Sequence, residues 1–182
     1  MNPAAAADLP MPDAFVTLVL GGARSGKSSF AERLVTSAPG PWTYVATAEA
    51  RDDEMRERVA EHQARRDAGW TTADVPIELS ATITNAGSAP VLIDCLTLWL
   101  SNLMERDLDL DAAFAALESA LAKRAAVTVL VSSEVGLGIV PDNRLARRFR
   151  DAAGRLNQRI AARADRVVLM VAGLPLYAKG TP

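Results

Sequence analysis

The sequence has little of several features that define common protein classes. Its 182 residues include one cysteine, Cys95, which excludes an internal disulfide and suits a reducing compartment. The 20 basic and 22 acidic side chains nearly balance, so the overall charge favours neither nucleic acid nor an anionic membrane as a partner. No uncharged apolar run reaches the roughly 18 to 20 residues that span a bilayer. We therefore expect a protein without disulfides, membrane spans or a nucleic-acid partner.

Residues 1–13 lack the marks of a signal peptide. They have no basic start and no apolar core, and the prolines at positions 3, 10 and 12 argue against a helix. We expect a disordered tail here, followed by one domain over residues 14–182, and a cytoplasmic location.

A glycine-rich stretch at residues 21–28 follows the apolar run Val-Thr-Leu-Val-Leu and precedes a stretch with helical spacing. It fits the phosphate-binding pattern GxxxxGK[ST] in full, in the strand-loop-helix context that the pattern requires. Glycines let backbone N–H groups approach a polyphosphate, and the first helical turn adds further donors. We expect Lys27 to reach the β- and γ-phosphates. The predicted nucleotide-binding residues of this loop are Gly21, Gly22, Ala23, Arg24, Ser25, Gly26, Lys27 and Ser28.

Apolar runs alternate with helical patterns along the rest of the chain. We predict strands at 16–20, 42–47, 90–94, 127–131 and 166–171, with a little antiparallel strand in the tail at 172–180. Helices are expected after the phosphate loop and at 49–67, just before residue 85, 96–104, 111–122 and 142–163. Such an alternation predicts an α/β fold with a mostly parallel sheet covered on both faces. Its ligands would bind at the carboxyl ends of the strands.

Asp94 closes the buried run Val-Leu-Ile-Asp. A carboxylate at the tip of a buried strand, downstream of a phosphate loop, is typical of a residue that holds Mg²⁺ directly or through water. The alternative is an aspartate that caps the next helix. Ser28 and Asp94 are the predicted metal ligands.

His62 is the only histidine of the chain, and it lies in the charged helical run at 49–67. Helical spacing puts Arg58, Arg65 and Arg66 on its face. A neutral imidazole can attack phosphorus to form a phosphoramidate while guanidinium groups bind the phosphate oxygens. The alternative is a solvated surface histidine.

Glu134 follows the strand predicted at 127–131, in a loop that contains glycines. It is a candidate general base for a substrate hydroxyl, and a carboxylate that only fixes the loop backbone is the alternative. The arginine-rich helix at 142–163 is expected to present a solvated or intersubunit face, because aromatic residues that would stack on nucleic-acid bases do not interleave its basic side chains except at Phe149.

Several stretches together resemble the bifunctional adenosylcobinamide kinase / adenosylcobinamide-phosphate guanylyltransferases of cobalamin biosynthesis. They extend from about residue 15 to 174, nearly the whole chain. The stretch after Ser132 is the most specific of them. The similar segments are the phosphate loop, Tyr44-Val-Ala-Thr, Asp52-Asp-Glu-Met, Arg58-Val-x-x-His62, Gly69-Trp-Thr-Thr, Ser133-Glu-Val-Gly-Leu-Gly-Ile-Val-Pro-Asp-Asn-Arg-Leu-Ala-Arg and Asp151-Ala-Ala-Gly-Arg-Leu-Asn-Gln-Arg.

The resemblance implies a P-loop NTPase fold of the RecA-like type, a three-layer sandwich, and an enzyme with two steps. A nucleoside triphosphate, GTP or ATP, would phosphorylate the aminopropanol hydroxyl of adenosylcobinamide. GTP would then transfer GMP to His62, and the bound GMP would pass to adenosylcobinamide phosphate to give adenosylcobinamide-GDP. The resemblance also implies a homo-oligomer, a trimer in relatives. The further nucleotide contacts that it implies are Ala46, Thr47, Ala48, Gln63, Ala64, Arg65, Arg66 and Asp94.

Two departures and two alternatives accompany this interpretation. Some relatives carry a second histidine where this chain has Glu61, and residues 1–13 have no counterpart in the family. The alternatives are a monofunctional small-molecule kinase with an incidental His62, and a RecA-like ATPase or binding module that acts on a macromolecule. The sequence has no guanine-reading NKxD motif, so it leaves the nucleotide preference open.

Overall fold

The computed structural model of the chain describes residues 14–49 and 68–182. Its strands are β1 (Val16–Gly21), β2 (Trp42–Ala46), β3 (Trp70–Asp74), β4 (Val91–Asp94), β5 (Thr128–Ser133), β6 (Arg166–Val171) and β7 (Leu174–Lys179). Its helices are α1 (Lys27–Thr36), α2 (Leu79–Asn85), α3 (Leu96–Glu105), α4 (Leu110–Ala122) and α5 (Arg144–Arg163). The predicted tail at 1–13 and nearly all of the helix predicted at 49–67 lie outside the described residues.

The strands form one seven-stranded sheet in the order β3-β2-β4-β5-β1-β6-β7. Strands β1 to β6 pair in parallel, and β7 pairs with β6 in the antiparallel direction. The central strands β1, β4 and β5 are buried over nearly their whole length, which explains their uninterrupted apolar runs. The predicted α/β class with a mostly parallel sheet and a small antiparallel addition is confirmed.

Helices cover both faces of this sheet, so the fold has the three predicted layers. On one face α1 packs through Phe30, Leu34 and Val35 against alternate residues of the central strands. On the other face α2, α3, α4 and α5 enclose a larger core that includes Trp99 and Phe114. Because successive strand residues point to opposite faces, the two cores divide the residues of each strand between them.

Strand β3 is the strand, among those described, that the sequence pattern does not predict. It forms the sheet edge and pairs with β2 alone, in the register Trp70 opposite Trp42. Thr71 and Thr72 are exposed, and no residue of the strand is fully buried. A short edge strand of this kind has no apolar run from which it could be predicted.

Several boundaries differ from the predicted ones by one or two residues. Asp109 caps α4, because its carboxylate accepts a hydrogen bond from the N–H of Ala112 at 3.0 Å. Asn143 caps α5 in the same way through Ala146, so this helix begins at Arg144. No helix within residues 14–49 and 68–182 is both long and apolar enough to cross a lipid bilayer.

Candidate active site at the carboxyl edge of the sheet

Four parallel strands end at one edge of the sheet, and a polar or glycine-rich segment follows each of them. The phosphate loop follows β1, Thr47 follows β2, Asp94 ends β4 and Glu134 follows β5. The register pairs Gly21 with Ser133 and Asp94 with Val131, so β5 lies between the phosphate loop and Asp94. The structure thus brings Gly21 to Ser28, Thr47, Asp94 and Glu134 to the same edge, as the sequence predicts.

The phosphate loop turns from β1 into α1 through two residues with positive φ. Arg24 has φ 53° and Gly26 has φ 89°, and the N–H of Ser25 reaches the carbonyl of Gly22 at 3.4 Å. No side chain caps the start of α1 at Gly26. The N–H groups of its first turn are therefore available to an anion, in the helix position that favours negative charge.

Lys27 and Ser28 are the first two residues of α1 and directly follow the glycines of the phosphate loop. The Lys27 Nζ donates to the carbonyl oxygen of Gly22 at 3.0 Å, so the ammonium group folds back across the loop. A polyphosphate in the loop would offer that ammonium several charged oxygens in place of one carbonyl. Ser28 is half-buried in the first turn of the helix.

The turn between β6 and β7 packs against the phosphate loop. The N–H of Gly173 donates to the carbonyl of Ser25 at 3.1 Å, and a Cβ on Gly26 would lie 3.5 Å from the Gly173 Cα. Gly173 itself has φ 82°. The small antiparallel strand at the end of the chain therefore has a structural role, which is to hold this turn against the phosphate loop.

Asp94 lies on the same sheet face as α1 and the phosphate loop. Leu92 belongs to the core under α1, and a residue two positions along the strand points to the same face. The Tyr44 hydroxyl donates to Asp94 Oδ2 at 3.1 Å. Within the part of the chain that the structure describes, Asp94 Oδ1 accepts no hydrogen bond. One carboxylate oxygen is thus fixed and the other remains available to a ligand.

Cys95 is a buried free thiol between Asp94 and α3. Burial, together with the negative charge of Asp94, raises the pKa of this thiol to about 11. The charge of Lys27 acts in the opposite direction, which places the phosphate-loop ammonium and the Asp94 carboxylate around the same group. The thiol stays protonated at neutral pH and is no nucleophile.

Thr47 is fully buried, and its hydrogen-bonding groups have partners inside the protein. Its hydroxyl accepts from the N–H of Cys95 at 2.8 Å and donates to the carbonyl of Cys95 at 2.7 Å. Its N–H donates to the carbonyl of Asp94 at 3.2 Å, and its carbonyl accepts from Asn102 at 2.8 Å. The predicted nucleotide contacts of Ala46, Thr47 and Ala48 remain a prediction, and the hydroxyl of Thr47 is engaged with the main chain of Cys95.

The end of β5 carries a buried polar network that the sequence analysis does not single out. Ser132 Oγ donates to Asn157 Oδ1 at 2.7 Å, and the N–H of Ser133 donates to Thr97 Oγ1 at 2.6 Å. Asn157 lies on the buried face of α5, between Leu156 and Ile160. An asparagine among apolar residues at helical spacing is the signal that indicates such a network, because a buried amide must be hydrogen-bonded.

Glu134 directly follows the polar network at the end of β5 and lies next to the phosphate loop. Its N–H donates to the carbonyl of Gly21 at 3.1 Å, which extends the β1–β5 pairing by one residue. Its Oε1 accepts from the N–H of Gly136 at 2.6 Å. Glu134 therefore fixes the backbone of its own loop, and its other carboxylate oxygen is the group that a proton-transfer role would use.

The donor set at this edge suits a cation that is bound mainly by phosphates. Among the described residues there is no group of three or more His, Cys, Asp or Glu side chains that could form a metal cage. Mg²⁺ commonly takes one or two protein oxygens together with phosphate oxygens and waters. The free oxygen of Asp94 and the hydroxyl of Ser28 fit that requirement.

Comparison with known proteins gives the family. The family model for cobinamide kinase / cobinamide phosphate guanyltransferase matches residues 17–178. The chain belongs to this family. The bifunctional adenosylcobalamin biosynthesis protein CobP of Pseudomonas aeruginosa is 49% identical over 169 residues, which cover 91% of this chain and 98% of that relative. The CobU protein of Salmonella typhimurium, described by the same words, is 44% identical over 182 residues that cover 89% and 98%.

Solved structures show that this member of the cobinamide kinase family has a RecA-like P-loop fold. The flagellar accessory protein FlaH from Methanocaldococcus jannaschii aligns with a TM-score of 0.55 and 12% identity, over 94% of this chain and 80% of that one. A KaiC-like protein from Pyrococcus horikoshii aligns with a TM-score of 0.50 and 14% identity, over 94% and 84%. At such identities the likeness concerns the fold alone.

Part of the predicted site lies outside the described residues. His62 and the neighbouring Gln63, Ala64, Arg65 and Arg66 fall in the segment 50–67. The family match extends across this segment. The structure therefore describes the phosphate-loop half of the site, and the histidine half remains a prediction.

Proposed function

We propose that this chain is a bifunctional transferase of adenosylcobalamin biosynthesis, which phosphorylates adenosylcobinamide and then attaches GMP to the product. The observation that carries the proposal is a complete phosphate loop at the same sheet edge as Asp94, in a chain that the family model matches over residues 17–178. The bifunctional names of the P. aeruginosa and S. typhimurium relatives support it.

In the kinase step, the hydroxyl oxygen of the aminopropanol arm attacks the γ-phosphorus of GTP or ATP. The new O–P bond replaces the bond to the β-phosphate oxygen, and the nucleoside diphosphate leaves. The N–H groups of the phosphate loop and the Lys27 ammonium bind the charged oxygens of the transferred group. The hydroxyl proton passes to a base, for which Glu134 is the candidate at the end of β5.

In the guanylylation step, a ring nitrogen of His62 attacks the α-phosphorus of GTP. An N–P bond forms as the bond to the β-phosphate oxygen breaks, and pyrophosphate leaves. A phosphate oxygen of adenosylcobinamide phosphate then attacks the same phosphorus, which releases the imidazole and gives adenosylcobinamide-GDP. The proposed nucleotide contacts of this step are Ala46, Thr47, Ala48, Gln63, Ala64, Arg65, Arg66 and Asp94.

Magnesium is part of the proposal as the cation that accompanies the nucleotide. A bound Mg²⁺ supplies positive charge that offsets the charge of the phosphates during transfer. Ser28 and Asp94 are the proposed protein ligands. Their support is the location of Ser28 in the first turn of α1 and the free oxygen of Asp94 on the same sheet face.

We further propose a cytoplasmic homo-oligomer, with a trimer as the expected form. The cytoplasmic location fits co-substrates that are nucleoside triphosphates. Large apolar side chains at two places on the described surface support an oligomer, since isolated monomers seldom expose such groups together. One set is Leu137, Ile139, Val140 and Leu145, and the other is Val171, Leu174 and Leu176.

The two steps are separated by labelling different phosphates of the nucleotide. GTP labelled at the α-phosphate should leave an acid-labile, base-stable label on the wild-type protein and none on His62→Ala. The γ-label should reach cobinamide in both proteins. Lys27→Met should lower the kinase rate by about 100-fold or more, because it removes a preorganised cation from the transferred phosphate.

Each failure of this experiment points to a different alternative. No α-label on the wild type, with γ-transfer intact, would leave a monofunctional kinase. Label that persists in His62→Ala would move the nucleophile to another residue. Nucleotide turnover that responds to DNA or to a protein partner, with cobinamide inert, would indicate an ATPase that acts on a macromolecule.

A further inference from the structure

We propose that Tyr44 and Thr47 are positioning residues that together fix the Asp94 carboxylate for the cation of the bound nucleotide. Tyr44 belongs to β2, and Thr47 directly follows that strand. Tyr44 holds the side chain of Asp94, and Thr47 holds the Asp94 carbonyl and the main chain of Cys95 that follows it. The inference rests on the proposed role of Asp94 in nucleotide and metal binding.

The sheet register explains why Tyr44 reaches Asp94. Tyr44 lies opposite Leu92, and Ala46 lies opposite Asp94. Tyr44 and Asp94 are therefore diagonal neighbours on one face of a parallel pair, a distance that a long aromatic side chain covers. The hydrogen bond from the Tyr44 hydroxyl to Oδ2 favours one orientation of the Asp94 carboxylate group. In that orientation Oδ1 is the oxygen available to a ligand.

Tyr44 is itself held in place. Its side chain is only 4% exposed, and its ring meets the ring of Trp70 on β3 edge to face at 6.1 Å between centroids. The Trp42 ring also contacts that tryptophan, in a tilted arrangement with 5.6 Å between centroids. The edge strand β3 thus restricts the tyrosine, and the tyrosine restricts Asp94.

Thr47 acts on the backbone at the point where β4 ends. One hydroxyl both accepts the N–H and donates to the carbonyl of Cys95, and the Thr47 N–H takes the carbonyl of Asp94. Asn102 of α3 holds the Thr47 carbonyl in turn. The Thr47 hydroxyl uses its one donor on the Cys95 carbonyl, so its contribution to Mg²⁺ binding passes through the segment that carries Asp94.

Equilibrium binding of a non-hydrolysable fluorescent GTP analogue to the full chain tests the inference, with Mg²⁺ titrated from zero. Tyr44→Phe should raise the Mg²⁺ concentration at half-maximal binding by about tenfold, the lower end of the cost of removing an outer-shell partner from a metal ligand. Binding of the Tyr44→Phe protein in EDTA should match that of the wild type. Thr47→Val should show the same shift, and Thr47→Ser, which keeps the hydroxyl, should restore the wild-type value.

Matched controls exist for both residues. Tyr177→Phe removes the same hydroxyl from β7, and Thr71→Val makes the same exchange on the exposed face of β3. Both should titrate like the wild type. Urea unfolding of each variant separates a loss of stability from a change in Mg²⁺ dependence, so a Thr47→Val protein that fails to fold leaves Tyr44→Phe to decide.

Asp94→Asn distinguishes this inference from the proposed function. If Asp94→Asn shifts the Mg²⁺ dependence and Tyr44→Phe does not, the positioning role is wrong and the metal role of Asp94 stands. If Asp94→Asn titrates like the wild type, the metal role fails and the positioning role fails with it. An equal loss of binding with and without Mg²⁺ in Tyr44→Phe also overturns the inference, because it indicates a general structural defect.

Discussion

Gly21 packs so closely at the end of β1 that its lack of a side chain is a steric requirement. A Cβ at this position would lie 2.5 Å from Ser25 Oγ and 2.9 Å from the carbonyl oxygen of Met170. The second atom belongs to the backbone of the neighbouring strand β6 and cannot rotate away. Gly22 differs, because a Cβ there would meet nothing within 4 Å.

The two neighbouring glycines therefore give a matched pair of variants. We expect Gly21→Ala to lower the free energy of unfolding by roughly 1–3 kcal/mol, the usual cost of inserting a methyl group into a well-packed site. Gly22→Ala should unfold like the wild type. Urea denaturation at neutral pH measures both. Equal stability of the two variants would contradict the packing around Gly21.

For single residues, the sequence predicts those that belong to a contiguous motif. It does not predict hydrogen-bond partners that are distant in sequence and meet only in the folded protein. The phosphate loop and Asp94 follow from local pattern, because loop, helix start and strand end are adjacent in the chain. The bonds from Tyr44 and Thr47 to the Asp94 segment join positions nearly 50 residues apart. They depend on the register of β2 against β4, and no local spacing encodes that register.

Arg159 of α5 forms ion pairs with two carboxylates of α4, a two-pronged one with Glu118 and a longer one with Asp111 at 3.4 Å. Arg159 donates from Nε to Glu118 Oε1 at 2.7 Å and from Nη2 to Glu118 Oε2 at 3.1 Å. The guanidinium also lies over the Phe114 ring, 5.5 Å from its centroid. This hydrogen-bonded arginine holds the pKa of the Glu118 carboxyl below its usual value.

Glu118→Gln should therefore destabilise the protein in a pH-dependent way. Because the pKa of Glu118 is lower in the folded state than in the unfolded state, its ionised carboxylate stabilises the fold at pH values above the unfolded pKa of about 4.3. This stabilisation is lost as the pH falls through the folded-state pKa. We expect a loss of roughly 0.5–1 kcal/mol near neutral pH, since the pair is partly exposed. The difference in unfolding free energy between the variant and the wild type should shrink as the pH falls below about 4.3, the usual pKa of glutamate.

Urea unfolding midpoints measured at neutral pH and at pH values below about 4.3 check the prediction. Glu78→Gln is the control, because Glu78 is exposed at the start of α2 and its side chain forms no capping hydrogen bond there. The Glu78→Gln protein should have the wild-type unfolding midpoint at neutral pH. A Glu118→Gln deficit that is the same at acid and neutral pH would mean that packing, and not the ion pair, is responsible.

Among whole elements, the strands with buried apolar faces were predictable and the edge strand β3 was not. Strands β1, β4 and β5 are long apolar runs because both of their faces are covered. Strand β3 has exposed threonines and forms only because β2 offers it a paired edge. Tertiary pairing of this kind overrides local propensity, so the pattern of residues 70–74 does not predict it.

For the whole molecule, the described surface carries two sets of exposed apolar side chains that are close together in sequence. Leu137, Ile139 and Val140 in the loop after β5 are 84%, 97% and 55% exposed. Leu174 and Leu176 on the edge strand β7 are 51% and 55% exposed. A cyclic trimer joins two different patches of each subunit, so two such sets are what a closed ring of identical chains requires.

Light scattering on the purified chain tests this assembly. The wild type should have a mass near three times the 19.3 kDa of one chain. Ile139→Asp and Leu174→Asp, which place a charge in each set, should each shift the protein to smaller species, because burying an unpaired carboxylate in an apolar interface is costly. Leu108→Asp is the control, since Leu108 is 42% exposed and belongs to neither set. A wild-type protein that is monomeric and fully active at the same concentration would exclude the proposed oligomer.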